Sequence, residues 1–350
     1  VTPSCPPSTA EAGWLRRRGG EIALWLAVPL AVALFLPEYY LLATHVAALG
    51  LFALSLDLLV GYAGLLSLGH AMFFGIGAYT AGLLAVHGWG EPISGLLIAA
   101  LVAGLVGLIT SFAVLRVQHL AQLMVTLGFG LLVFEAANRA RWLTGGDDGL
   151  QGMVVSPVLG MFEFDLFGQT AFFYTFVVLA LCFIVATRII DSPFGLTLEG
   201  LRENPKRMAA IGTPTAARLR QAYVFAAIFA GIAGALMAQT SQFVALETLS
   251  FGLSAEVLIM LLLGGAGHRY GGLVGAAVFV IARDLLSDLN PQYWQFGVGG
   301  VMVLVVLFAP GGVLGILRSL RQRLTPVSTA KAAPAAPVTA TPATNKGGVA

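Results

Sequence analysis

Along this chain, polar side chains fall in short breaks between long apolar runs. Continuous hydrophobic segments lie at about 22–36, 39–60, 63–86, 93–115, 118–137, 170–190, 222–244, 251–265, 272–289 and 293–309. They do not alternate every second residue, as the strands of a membrane barrel do. Most are long enough for helices that cross a hydrocarbon layer of about 30 Å. The pattern predicts an all-α protein, a polytopic membrane helix bundle with about ten membrane segments. Segment 251–265 is short for a full crossing and reads as a half-helix or a tilted, buried element.

Two segments carry rows of small residues. Ala226, Ala230, Gly234 and Ala238 recur every four residues, with Ala227, Gly231 and Ala235 beside them, and 93–115 repeats the device with Ala99, Ala103, Gly107 and Ser111. Helices in lipid associate by close backbone approach at such rows, so these segments are expected at the centre of a tightly packed bundle. The stretch 61–84 holds six glycines in 24 residues. Each interior Gly costs a helix about 0.8–1 kcal/mol relative to Ala, so at least one distorted or interrupted Gly-rich helix is expected there. Broken helices often border a transporter's substrate path. Ser67 and His70 lie within this stretch at membrane depth, where a polar group needs a partner or a water-filled cavity. Two readings stand for His70, an interhelical hydrogen bond and contact with a translocated solute.

Composition narrows the class. Hydrophobic residues make up 58% of the 350 and charged residues 10%, against about 25% charged in soluble domains. A soluble enzyme, a nucleic-acid binder and a disordered scaffold are all excluded. The net charge of +2 matters less than its distribution. With the N-terminus in the cytoplasm and ten crossings, the cytoplasmic side receives Arg16–Arg18, Arg116, Arg188, Arg202, Lys206, Arg207, Arg218, Arg220, Arg269, Arg318, Arg321, Arg323, Lys331 and Lys346. Only Arg139, Arg141 and Arg283 fall outside, as the positive-inside rule requires. Both termini are then cytoplasmic. Three parts follow: a leader over 1–20, a transmembrane domain over 21–317, and a basic then Ala/Pro/Thr-rich C-terminal tail over 318–350, expected to be disordered. Arg16–Arg18 with the following apolar run also resembles a signal peptide; the first segment is taken as a retained span. Cys5 and Cys182 form no metal or disulfide pattern.

Charges inside or beside spans read as interface residues: Asp57 near an inner end, and Glu135, Glu256, Arg283 and Asp284 near outer ends. Glu135 and Asn138, with Gln239 and Gln242 of an outer polar run, are candidates to line a vestibule. The Thr144–Gly152 stretch of the outer loop is expected to form turns.

The longest cytoplasmic connection, 191–221, contains a capped short helix. Asn204 is an N-cap and Pro205 occupies the first helical position. Gly212 supplies a left-handed stop, leaving Pro205–Ile211 helical. Thr213-Pro214 repeats the start signal for the next helix. So short a helix is marginal alone and must dock, on a partner protein or on lipid headgroups through Lys206 and Arg207.

Here the chain resembles a known family. Gly61-Tyr-Ala-Gly-Leu-Leu-Ser-Leu-Gly-His-Ala-Met-Phe-Phe-Gly-Ile-Gly-Ala-Tyr79, the Thr144–Gly152 loop, Arg202-Glu-Asn-Pro-Lys-Arg-Met-Ala-Ala-Ile-Gly212, Gly264-Gly-Ala-Gly-His-Arg-Tyr-Gly-Gly-Leu-Val-Gly275 and Ala309-Pro-Gly-Gly312 are similar to LivM-type permease subunits of branched-chain amino acid ABC importers. The likeness covers about residues 40–317. It implies a heterodimer with a second, LivH-like permease, two cytoplasmic ATPase subunits and an extracytoplasmic solute-binding protein, all at a bacterial inner membrane. It also implies that Asn204, Pro205, Lys206, Arg207, Met208, Ala209, Ala210, Ile211 and Gly212 form the coupling helix that contacts an ATPase. Family members often carry acidic residues in this element, whereas Pro205, Lys206 and Arg207 stand here. No phosphate-binding Gly-x-x-x-x-Gly-Lys-Ser/Thr loop is present, and no nucleophile or metal constellation stands out. A transport subunit without its own ATP-binding motif is expected, with no cofactor or metal. The related alternative is a urea or short-amide permease. An ion-gradient-driven transporter and an intramembrane enzyme are the other classes; the first expects several midplane ionisable groups and the second a reactive centre.

Overall fold

The computed structural model describes residues 27–289 except 36, 118–119, 159, 161 and 165–167, together with Trp25 and scattered positions between 293 and 315. The leader 1–20 and the tail 318–350 lie outside the described residues, and segment 293–309 is described only at isolated positions. All the elements formed by the described residues are helical, and the two β-bridges are isolated contacts, Leu150 with Val244 and Val158 with Phe162.

In chain order, α1 covers 27–35 and α2 Tyr40–Asp57; a π-helical turn, Leu58–Ala63, ends α2. Then come α3 Ala71–Val86, α4 Pro92–Val114, α5 Leu120–Arg139, the single turn α6 Arg141–Thr144 and α7 Gln169–Ile190. Two short helices, α8 Pro193–Glu203 and α9 Pro205–Ala210, lead to α10 Thr215–Ser241, α11 Phe251–Gly264 and α12 Gly271–Leu289. Five helical stretches among the described residues are long and apolar enough to cross a membrane: Pro37–Ala63, α4, α5, α7 and α10. α3 and α11 are apolar but shorter, and α12 carries Arg283, Asp284 and Asp288 near its end. Of the ten apolar segments, these five are the ones that meet the length and composition of a crossing helix among the described residues.

The small-residue rows are contact faces. The Ala226–Ala238 row of α10 meets α3, where a Cβ at Gly234 would fall on the Phe74 carbonyl, and Gly77 of α3 comes as close to Gly231 of the parallel row, whose carbonyl its Cβ would meet. The parallel row meets α4, where a Cβ at Gly231 would lie 3.1 Å from Ala99 O and one at Gly107 2.5 Å from the Ala227 methyl. Lipid-embedded helices gain no hydrophobic energy from one another, so this backbone proximity, with its dispersion contacts, replaces it. Pro37–Ala63 is buried over 89% of its apolar stretch and α10 over 72%, whereas α5 is buried over only 17%. The core is thus α2, α3, α10 and the inner faces of α4, α7, α11 and α12, with α5 at its edge. Trp25 packs on Phe176 and Phe183 of α7, with ring centroids 5.4 and 4.9 Å apart.

The Gly-rich stretch is interrupted, and further than its composition implied. The helix ends at Gly64, in the left-handed region with φ +71°. Residues 64–70 are not helical, so the apolar segment marked at 63–86 enters a helix only at Ala71. Close approach to α5 fixes this break: a Cβ at Gly69 would fall on the Thr126 carbonyl, and the Leu68 N–H donates to Thr126 Oγ1 at 3.3 Å. The Ala71 N–H, at the start of α3, donates to Ser254 Oγ of α11 at 2.9 Å.

Candidate functional site

The α8–α9 end. Connection 191–221 is nearly all helix, and its first half was missed. Ser192 precedes Pro193 at the first position of α8, whose Gly195, Leu198 and Leu201 are buried against the bundle. That apolar spacing of three was the available signal. The capped element behaves as its sequence predicts, one residue shorter. Asn204 Oδ1 accepts from the Arg207 N–H at 3.0 Å, and Gly212 turns left-handed at φ +87°. Gly212 N donates to Ala209 O at 3.0 Å and Thr213 N to Met208 O at 3.1 Å, the paired bonds of a Schellman stop. Thr213 does not repeat the cap: Pro214 takes the N-cap position of α10 with no side-chain bond. None of the residues of α9 is buried. Its anchor is Met208, whose Sδ would lie 2.9 Å from a Cβ on Gly200 of α8, and Ile211 stands 70% exposed beside it. The result is a small rod, fixed at both ends, standing out from the bundle with Lys206 and Arg207 exposed.

Beside it, Asp57 is fully buried, not at an interface as its place near a span end suggested. Its Oδ1 accepts from the Gly267 N–H at 2.7 Å, and the Arg202 Nη1 donates to the Gly61 carbonyl. Arg269 pairs with Asp191 at the α7–α8 corner. A polar cavity of about 410 Å³ opens here, lined by residues that include Tyr62, Asp191, Glu199, His268 and Arg269.

The other candidates do not converge. His70 is fully buried; its Nε2 lies 2.9 Å from Ser55 Oγ, and its ring stacks on Phe52 at 5.5 Å. Ser67 is buried and its Oγ has no hydrogen-bond partner. Gln239, also buried, donates to Pro92 O at 2.8 Å and accepts from the Tyr174 hydroxyl at 2.9 Å, tying α10 to α4 and α7. Glu135 is exposed and paired with Arg139 at 2.7 Å. Asn138, half-buried, has an Oδ1 with no partner. Gln242 is exposed and left-handed, ending α10. Nearby, the Thr144–Gly152 loop forms the expected turns, with Gly145, Gly146, Gly149 and Gly152 all at positive φ. It docks on the chain after α10 through the Leu150 N–H, which donates to Val244 O at 2.9 Å. Since α7 runs from this loop to α8, the two regions occupy opposite ends of the bundle. Among the described residues, no three His, Cys, Asp or Glu side chains are placed to hold a metal ion.

Compared with known proteins, residues 39–307, from α2 to beyond α12, match the family model described as "Branched-chain amino acid transport system / permease component". The chain belongs to this permease family. The permease is 34% identical over 289 residues to the high-affinity branched-chain amino acid transport system permease protein LivM of Salmonella typhimurium, covering 76% of this chain and 67% of the relative. It is 33% identical to the Escherichia coli protein of that name, with the same coverage. The probable LivM protein of Methanocaldococcus jannaschii is 23% identical over 75% of the permease and 89% of its own length. No solved structure matches the permease. With its apolar helices, the permease is a multi-pass membrane protein.

Proposed function

We propose that this chain is the transmembrane permease subunit of an ATP-binding-cassette importer for branched-chain or other hydrophobic amino acids. The ATP is hydrolysed by two partner subunits, beside a second, LivH-like permease and an extracytoplasmic solute-binding protein. The observation that carries the reading is α9: a short helix, capped at both ends and seated on α8 through Met208, with no buried residue. A six-residue rod is too short to persist without caps and docking. One held so firmly at the foot of the bundle suits a partner that pushes on it. In this reading Asn204–Gly212 form the coupling helix, and motion of α9 passes into the bundle through α8.

Sidedness follows from charge. Arg116, Arg188, Arg202, Lys206, Arg207, Arg218, Arg220 and Arg269 lie at the α8–α9 end, while Arg139, Arg141 and Arg283 lie at or towards the other, so the α8–α9 end is cytoplasmic. Both termini are then inside a bacterial inner membrane. The full chain crosses about ten times, with α3, α11 and α12 embedded and residues 22–36 and 293–309 as the flanking spans. The leader 1–20 and tail 318–350 flank the permease domain. Glu135, Asn138 and Gln242, at the outer end, line the vestibule through which solute arrives. Ser67 borders the break in the path, and His70 and Gln239 hold its walls in register.

The decisive experiment purifies the chain from its native membranes, identifies co-purifying subunits by mass, and measures leucine uptake in proteoliposomes. ATP-driven uptake with two nucleotide-binding partners is expected. Uptake that survives ATP depletion and collapses with an uncoupler would assign the chain to ion-driven transport. Titrating the co-purified binding protein with leucine, valine and urea separates the amino-acid reading from the short-amide one.

A further inference from the structure

Three elements meet at the buried carboxylate of Asp57. The Gly61 carbonyl belongs to the turn that ends the helix at Gly64, and carbonyls in a last turn lack intrahelical donors. Arg202, reaching in from α8, supplies the donor to Gly61 O through Nη1. Its stem lies over Gly64, with Cγ 2.7 Å from where a Cβ on that left-handed glycine would stand. Its charge also attracts Asp57. Asp57 spends Oδ1 on the Gly267 N–H at 2.7 Å, and its Oδ2 has no hydrogen-bond partner. There is no slack: a Cβ on Gly61 would fall on Asp57 Oδ1 and stand 2.5 Å from Gly267 N. One guanidinium thus serves a helix end, where a cation is favoured, and a buried carboxylate, where an unmatched charge is costly.

The position on α8 matters as much as the contacts. Arg202 lies two residues before Asn204, the cap of α9, and two after Gly200, the seat of Met208. A displacement of α9 therefore moves α8, and Arg202 joins α8 both to the point where α2 breaks and to the turn between α11 and α12.

We propose that Arg202 is a positioning residue for transport. Bonded to the Gly61 carbonyl and lying beside Gly267, with the buried Asp57 carboxylate within reach of its charge, it carries the movement of α9 into the broken stretch 64–70 and the 265–270 turn. The proposal rests on the reading of α9 as the ATPase-facing helix. Its test uses the purified complex in proteoliposomes with the binding protein, measuring ATP hydrolysis and leucine uptake together. Arg202→Met should still assemble and hydrolyse ATP, with uptake per ATP lowered by about two- to thirtyfold, the range for residues that transmit coupling. Arg202→Lys, which keeps the charge but loses the fork, should fall between. Asp57→Asn combined with Arg202→Met should lose less than Arg202→Met alone, because the carboxylate then needs no counter-charge. Wild-type uptake per ATP in Arg202→Met overturns the proposal, as does a double variant no better than the single one. If Arg202→Met fails to assemble, Arg202→Lys decides: a lowered ratio supports the role and a wild-type ratio overturns it. A wild-type complex with no ATP-driven uptake would instead sink the importer reading.

Discussion

Gly234 and Gly128 are both helical glycines in membrane spans, yet their surroundings assign them opposite roles. At Gly234 a Cβ would fall on the Phe74 carbonyl of α3, a backbone atom that cannot move aside, whereas at Gly128 of α5 nothing stands within 4 Å. Gly234→Leu should therefore destabilise the purified chain by about 3 kcal/mol or more, at or beyond the upper range of overpacking. Gly128→Ala should leave it unchanged or stabilise it by up to about 1 kcal/mol. Thermal unfolding in detergent measures both; equal shifts would contradict the packing described here. His70 poses a sharper question. Its ring is sealed between Phe52 and Phe73, and Ser55 retains a bond to Phe52 O at 2.6 Å without it. His70→Leu should lower the rate of uptake by disturbing the wall beside the break, while leaving the apparent affinity for solute unchanged. A raised KM with an unaltered maximal rate would make His70 a solute contact after all.

Among the elements, α9 owes its shape to its two ends. Losing an N-cap costs about 1 kcal/mol, and a non-Gly residue in the left-handed region costs about 1–2 kcal/mol, large sums for a helix with so few bonds of its own. Asn204→Ala and Gly212→Ala should each leave insertion and subunit assembly intact but lower uptake per ATP, and Gly212→Pro or deletion of 205–210 should abolish it. Normal uptake by the deletion would remove α9 from the mechanism. This helix was legible in the sequence because capping is local: Asn-Pro at one end and Gly at the other act over a single turn. The small-residue rows of α4 and α10 were legible for a similar reason, since a period of four marks one helix face. The break at 64–70 was half legible. Six glycines announce weak helix, but its place depends on Gly69 meeting Thr126 across the bundle, a contact between distant residues that no local pattern encodes. Asp57 was misplaced on the same ground. Near a span end a carboxylate usually reaches water, and only the fold brings Gly267 and Arg202 to it. The polar candidates at Ser67, His70, Glu135, Asn138, Gln239 and Gln242 were chosen by residue type and depth, and the fold distributes them over both ends and the core.

For the whole molecule, the governing asymmetry is electrical. The α8–α9 end gathers basic side chains that attract anionic headgroups by about 1 kcal/mol each near a surface, while the opposite end offers exposed Asp147, Asp148 and the Glu135–Arg139 pair. A bundle with such unlike faces has one stable orientation, and the assignment of α9 to an ATPase requires that it point its basic face inwards. The chain suits a direct check, because its native thiols are Cys5 and the buried Cys182. With Cys5 replaced by Ser, Asp148→Cys should react with a membrane-impermeant maleimide on intact cells. Lys206→Cys should react only after the membrane is opened, or in inside-out vesicles. Both positions are exposed, Asp148 on a short turn and Lys206 on α9, so labelling reports side and not burial. Reaction of Lys206→Cys on intact cells would turn the bundle over, place α9 beyond the reach of any cytoplasmic ATPase, and remove the basis for ATP-driven transport through it.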